Sequence, residues 1–302
     1  MNNFILGLWY LLRLKPLAAW AGCGMLLGLA VAVYEVGVGG VDWTLGIAGG
    51  LVFLLLQYVA HPLNDMTDYE VDKLAYLELT NRKKVLVSGL MTFRQLGIIS
   101  GVLLMAALIL SSYIVITRPY AMCFFAVGFF AVIGYNFFKL SYQPFSEWTV
   151  IFPVLVSLVA GVAYTASGQV SMLAIYVGVV HALVNIPFFL TSRAMDIDAD
   201  RAVGKITTLV KYPNVDWQAV ITCISWIIAG SVYFIYGMPY NIISGVFAVG
   251  IFCNFWTAVE MNIGAEPSQF SVRRKKQIYI SIAHSIVLSV TLLVLGVMVN
   301  AA

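Results

Sequence analysis

Stretches of about 20 apolar residues recur along the whole of this chain, and nothing else in the sequence limits its fold so strongly. A helix needs about 20 predominantly apolar residues to cross about 30 Å of hydrocarbon. Nine windows qualify, at roughly 17–36, 43–63, 94–116, 119–138, 148–167, 171–192, 217–237, 240–260 and 277–299. The short alternating segments of a membrane barrel are missing from most of them. Composition agrees, with 61% hydrophobic and 10% charged residues in 302. An average soluble chain carries about 25% charged residues. Disorder is excluded by the same numbers, since it needs low hydrophobicity and high charge. The sequence therefore predicts an all-α integral membrane protein, a bundle of nine transmembrane helices, with residues 1–302 as one domain. Met1 to Lys15 is short and amphipathic, carries Trp9, Tyr10 and Arg13, and reads as an interfacial segment.

Charge placement orients the bundle. With nine spans, the N-terminus and every second connection share one side, and 16 of the 17 basic residues fall there, with Arg118 opposite. The positive-inside rule makes that side, and the N-terminus, cytoplasmic. Of the 14 acids, Glu35 and Asp42 lie on the far side. A net charge of +3 is too small to argue for nucleic acid. The four cysteines sit in apolar spans without metal-ligand spacing and read as small buried hydrophobes.

The acids on the basic side form two clusters. The second span runs into Asn64-Asp65-Met66-Thr67-Asp68-Tyr69-Glu70-Val71-Asp72, where Asn64, Asp68 and Asp72 repeat every four residues. The sixth span ends in Asp196-Ile197-Asp198-Ala199-Asp200, with Asp196 and Asp200 at the same spacing. Residues four apart share a helix face. Four spans separate the clusters, so both emerge with the same orientation, and helices 1–4 and 5–8 read as a weak internal repeat. Stacked like charges at a bilayer boundary are costly unless satisfied. A divalent cation supplies the partner, because Mg²⁺ takes hard oxygens and bridges one or two carboxylates to phosphates. Cations near these clusters (Lys73, Arg82, Lys84, Arg201 and Lys205) suit the remaining phosphate charge. Glu70 and Asp198 project elsewhere on an ideal helix, and Glu147 reads as a helix-start acid. Tyr135 and Lys139, also four apart, close the fourth span on the same side. The run Arg273-Arg274-Lys275-Lys276 reads as a topology anchor on anionic lipid.

Together these residues resemble the UbiA superfamily of intramembrane prenyltransferases. Asn64-Asp65-x-x-Asp68-x-x-x-Asp72 is similar to its first Asp-rich motif, and Asp196-x-x-x-Asp200-Arg201-x-x-Gly204-Lys205-x-Thr207 to its second. Tyr135-x-x-x-Lys139 matches its YxxxK element, and Arg13-Leu14-Lys15-Pro16 its usual opening. One stretch departs: Asn81-Arg82-Lys83-Lys84-Val85-Leu86-Val87-Ser88-Gly89 lacks both family prolines and has Lys84 for Arg.

The resemblance implies transfer of an isoprenoid chain from a prenyl diphosphate to an acceptor inside the membrane. Two or more Mg²⁺ ions, held by Asn64, Asp68, Asp72, Asp196 and Asp200, would bridge the diphosphate. Tyr135 and Lys139 would meet it from helix four, and Asp65 and Arg13 would join the substrate-binding set. The acceptor is expected to be an aromatic quinone precursor, with a glycerol-phosphate ether-lipid precursor as the alternative. Arg13, Lys15 and Arg193 are cations suited to an anionic acceptor. A cation-coupled transporter is the rival of another class. Its site usually lies near the bilayer midplane, whereas both acid clusters fall at span ends.

Overall fold

The structure is a computed structural model that describes residues 3–78, 84–260 and 267–301. Its helices are α1 (Asn3–Leu11), α2 (Leu14–Leu17), α3 (Cys23–Gly40), α4 (Trp43–Thr67), α5 (Tyr69–Glu78), α6 (Phe93–Thr117) and α7 (Ala121–Asn136). They continue as α8 (Phe152–Ser167), α9 (Met172–Ala194), α10 (Ile197–Ala202), α11 (Thr208–Lys211), α12 (Trp217–Ile235), α13 (Tyr240–Glu260) and α14 (Pro267–Asn300). Among the described residues there is no strand. Among the described residues eight helical stretches are long and apolar enough to cross a membrane, and α7, with 16 residues, is a shorter ninth. The nine expected spans thus correspond to α3, α4, α6–α9 and α12–α14. The protein is an integral membrane protein.

Local chemistry sets several boundaries. Asp42 accepts the Leu45 N–H at 3.0 Å and caps α4, Thr92 and Gln95 form a capping box on α6, and Ser171 caps α9. Asp216 accepts two N–H groups at the start of α12. Two π turns, Ala18–Gly22 and Glu147–Ile151, lead into α3 and α8. Their loosened backbone takes partners from outside. Gln57 accepts the Ala21 N–H at 3.2 Å, and His181 Nε2 donates to the Trp20 carbonyl at 3.1 Å. Glu147 is fully buried and takes the Thr208 hydroxyl at 2.7 Å.

In lipid, helices associate through close packing, so small residues sit where backbones meet. A Cβ at Gly28 would lie 2.8 Å from the Val159 carbonyl oxygen, and one at Gly178 would lie 2.8 Å from that of Val156. α8 is therefore gripped by α3 on one side and α9 on the other. One apolar cluster joins α3, α4, α6, α7 and α8, and a second joins α3, α8, α9, α12, α13 and α14. α14 packs along α3 and closes the arrangement. The cysteine expectation holds only for Cys23. Cys123 and Cys223 are exposed, because they lie on outward faces of α7 and α12.

Candidate active site

The first acid cluster stays helical across the α4–α5 junction. The Asp68 N–H donates to the Asn64 carbonyl at 2.9 Å, and the Asp72 N–H to the Asp68 carbonyl at 2.8 Å. Asn64, Asp68 and Asp72 thus keep one stripe, and Asn64 Nδ2 donates to Asp68 Oδ2 at 2.8 Å. Asp65, one position round, pairs with Arg13 and, at 3.2 Å, with Lys84. Lys84 Nζ also reaches Asp72 Oδ2 at 2.8 Å.

The second cluster is shaped by its glycine. Asp196 precedes the six-residue α10, and Asp200 lies one turn on, its N–H donating to the Asp196 carbonyl at 2.7 Å. Gly204 follows with φ +72°. Its N–H bonds to Arg201, and the Lys205 N–H returns to the Asp200 carbonyl at 2.8 Å. This is the Schellman arrangement, in which the left-handed position suits a residue without Cβ. It turns Lys205 back across the helix end. Lys205 Nζ then lies 2.9 Å from Asp68 Oδ2 and 3.5 Å from Asp200 Oδ1, one ammonium touching both clusters.

Between the clusters and the bundle lies a cavity of about 600 Å³. Its charged end is lined by Asn64, Asp68, Asp72, Lys84, Arg193, Asp196, Asp200 and Lys205. Its apolar wall is built from Phe53 and Leu56 of α4, Gly128 and Val132 of α7, and Leu155 and Leu158 of α8. Tyr135 faces the same space. Arg193 donates to the Tyr135 hydroxyl at 2.6 Å and the Ser141 carbonyl at 3.3 Å, and stands 3.9 Å from Asp200. Tyr142 lies under the Lys205 ammonium, 4.9 Å from ring centre to Nζ. The loop after α7 is tied to both clusters: Tyr142 donates to the Thr67 carbonyl at 3.4 Å, and its own carbonyl accepts the Ile206 N–H at 3.1 Å.

The carboxylates differ in electrostatics. Burial works to raise the Asp68 carboxyl, but the Lys205 ammonium, aided by Lys84 and Arg193, outweighs it and holds the group below the usual carboxylate range. Burial prevails at Asp72 and Asp200, each pushed up to about 6 against the pull of Lys84 and of Lys205 with Arg193, respectively. For Lys84, burial favours the neutral amine, yet Asp65 and Asp72 more than offset it and raise the group.

These residues fit a hard cation that takes part of its shell from a ligand. Asp68 Oδ1 is buried with no hydrogen-bond partner, and neither Asp200 oxygen has one beyond its longer ion pairs. Among the described residues no three His, Cys, Asp or Glu side chains converge to hold an ion by themselves. Mg²⁺ suits such a site, because it keeps waters and uses one or two carboxylates together with phosphate oxygens.

Of the sequence-predicted residues, the structure gathers Arg13, Asn64, Asp68, Asp72, Lys84, Tyr135, Asp196, Asp200 and Lys205 around one cavity, with Asp65 just behind. Three others stand apart. Lys73 is exposed and outside the lining, and Arg201 is exposed and paired with Asp198 at 3.3 Å. Lys139 does not share a helix face with Tyr135, because α7 ends at Asn136 and Lys139 adopts φ 52°. It is exposed, with Nζ 5.2 Å from the Tyr142 ring centre. Arg82 lies outside the described residues. Glu70 and Asp198 are exposed, as their helix positions predict. Sequence reasoning missed Tyr142 and gave Arg193 only an acceptor role. It also assigned Arg274 wholly to a surface anchor, whereas Arg274 lines the cavity.

Residues 24–282 match the model of the UbiA prenyltransferase family. This chain belongs to that family. No curated protein matches it. Among solved structures, it is similar to a UbiA homologue from Archaeoglobus fulgidus bound to GPP and Mg²⁺, at 16% identity and TM-score 0.66, over 92% of this chain and 99% of that one. The homologue bound to DMAPP and Mg²⁺ gives 16% and 0.64 over the same shares. A structure concerning digeranylgeranylglyceryl phosphate synthase in membranes gives 15% and 0.60, over 95% and 99%. At such identities the likeness establishes the shared UbiA fold.

Proposed function

We propose that this protein catalyses Mg²⁺-dependent transfer of an isoprenoid chain from a prenyl diphosphate to an aromatic acceptor of the quinone-precursor type. The observation that carries this reading is Lys205, whose ammonium contacts Asp68 and Asp200 at once. A diphosphate held there is within reach of both carboxylate sets. Asn64, Asp68 and Asp72 would hold one metal–phosphate group, and Asp196 and Asp200 another, with two or more ions in all. Bound Mg²⁺ would neutralise the diphosphate and make it a better leaving group.

The chain's own residues do the rest. Lys205, Lys84 and Arg193 face the charge that develops as the allylic C–O bond breaks and its electron pair moves to the diphosphate. Tyr135 is held by Arg193 with its ring at the cavity wall. The apolar wall of α4, α7 and α8 takes the isoprenoid tail and keeps water from the allylic cation. Aromatic rings at the wall, Phe189 among them, offer that cation π faces. The acceptor's ring carbon bonds the allylic carbon, and the proton on that ring carbon passes to the released diphosphate as the aromatic ring is restored. The bias of Lys and Arg supports a cytoplasmic active face.

The test is incubation of the purified protein in a bilayer with Mg²⁺, several prenyl diphosphates and an acceptor panel, with products identified by mass. Asp68→Ala and Asp196→Ala are expected to abolish Mg²⁺-dependent consumption of prenyl diphosphate while the protein stays folded. Full activity in both variants overturns the assignment.

A further inference from the structure

The apolar end of the cavity stops at one level on the three helices that wall it. The lining residues farthest from the aspartates are Phe53 on α4, Gly128 on α7 and Leu158 on α8. Phe53 closes that level, because its ring enters between two glycines. A Cβ at Gly128 would lie 3.2 Å from Phe53 Cε1, and one at Gly161 would lie 3.2 Å from Cε2. Phe125 backs the ring at 5.7 Å between centres, and Phe53 is only 4% exposed. One and two turns further down, α4 and α8 close on each other. Gly49 packs on Thr165, and a Cβ at Gly46 would lie 2.8 Å from the Ala166 Cβ.

The flank toward α14 is packed shut as well. Ile278 and Ile282 pack with Ala19, Trp20 and Phe188, and Lys15 ties α2 to α14 by donating to the Tyr279 hydroxyl at 2.7 Å. Gln57, which lines the cavity on α4, spends its amide on the Ala21 N–H and the Pro16 carbonyl. An apolar tail leaving the aspartates is therefore directed along α4 toward Phe53. The depth of that path can be counted. From Asn64, at the charged end, to Phe53 is eleven residues of α4, about 16 Å at 1.5 Å per residue. An isoprene unit adds four carbons to the main chain, about 5 Å when extended at carbon–carbon bonds near 1.5 Å. About three units fill the path.

We propose that Phe53 sets the length of the prenyl donor, and that the preferred donor is a short-chain diphosphate of about three isoprene units. This rests on the prenyl-transfer reading above and names its donor class. Phe53 meets the far end of the tail and none of the reacting atoms, so it determines specificity and takes no part in the chemistry. A longer tail runs into a ring wedged between the backbones of α7 and α8, which yields only if those helices part.

The test uses the whole protein in a bilayer with Mg²⁺ and measures equilibrium binding of four non-cleavable thiolodiphosphates, geranyl, farnesyl, geranylgeranyl and nonaprenyl, with affinities referred to their concentration in the bilayer. The wild type is expected to bind the farnesyl compound tenfold or more tightly than the nonaprenyl one. In Phe53→Ala the ratio of geranylgeranyl to farnesyl affinity should rise tenfold or more over wild type. Leu158→Phe, which raises the floor, should shift the preference the other way, toward geranyl, and carries the test if Phe53→Ala does not fold. Ratios taken within one preparation are independent of its folded fraction. Equal binding of farnesyl and nonaprenyl compounds by the wild type, or a ratio that stays put in the folded variants, overturns the length limit alone. Failure of the wild type to bind any of the four with Mg²⁺ would sink the prenyl-transfer reading, and the limit with it.

Discussion

The two aspartate clusters share a spacing but not a state of neutralisation. In the first, Asp65, Asp68 and Asp72 are tied to Arg13, Lys84 and Lys205 at hydrogen-bonding distance. In the second, Asp200 is buried as deeply, yet its nearest cations stand at 3.5 and 3.9 Å. Both of those cations are committed elsewhere, Lys205 to Asp68 and Arg193 to Tyr135 and Ser141. The pattern Asp-x-x-x-Asp therefore says where oxygens are stacked and nothing about what balances them. The balance comes from the lysine that a glycine turn delivers and from the loop that carries Lys84.

The widest effect expected is common to both clusters. Asp68→Asn and Asp200→Asn should each reduce prenyl transfer by about 10²–10³-fold, the scale of losing one preorganised electrostatic partner of a transition state. Rates measured at saturating Mg²⁺ check this, and a cluster that tolerates the change does not hold the metal–phosphate group. Stability should separate the two. Asp68→Asn takes the nearer carboxylate from the buried Lys205 ammonium, leaving it Asp200 at 3.5 Å, and is expected to cost about 3 kcal/mol, the lower end of breaking a buried pair. Asp200→Asn should cost less than about 1 kcal/mol, because only long contacts are lost. Denaturation in detergent compares them, and equal losses would erase the distinction between a tied and an open cluster.

Smaller still is Gly204→Ala. The site is sterically open, so the cost is that of the left-handed backbone, about 1–2 kcal/mol. The sharper readout is Mg²⁺-diphosphate affinity, which should fall as Lys205 loses its placement. The least effect belongs to the cations outside the cavity: Lys73→Ala, Lys139→Ala and Arg201→Ala should stay within about twofold of wild type, as surface charges usually do. A large loss at any of them would enlarge the site beyond the lining residues.

Much of this was legible in the sequence for a local reason. Span length, caps and four-residue stripes are properties of contiguous residues, so the stripe Asn64, Asp68 and Asp72 across the α4–α5 junction, and Asp196 and Asp200 at the start of α10 and within it, follow from pattern alone. Lys139 has the same spacing from Tyr135 as a shared face requires, but the helix stops at Asn136 and the backbone reverses hand, so the two part. Arg193 and Arg274 are tertiary facts. Arg193 points inward from a helix end whose basic residue looks like an ordinary dipole partner. Arg274 sits in a run of four cations, and only the apolar stripe it shares with Ile278 and Ile282 singles it out. Tyr142 lies in a loop with no periodicity to read.

The π turn at Ala18–Gly22 sets the angular phase of everything before it. Its one surplus residue advances the preceding chain by about 100° relative to α3, since a helical residue turns that far. Excising one alanine there would leave α3 on its bed against α8 and α14. It would swing Arg13 off Asp65 and Lys15 off Tyr279 together. The opening segment is thus clocked to the bundle by a single residue, and the charges at both ends of the cavity keep time with it.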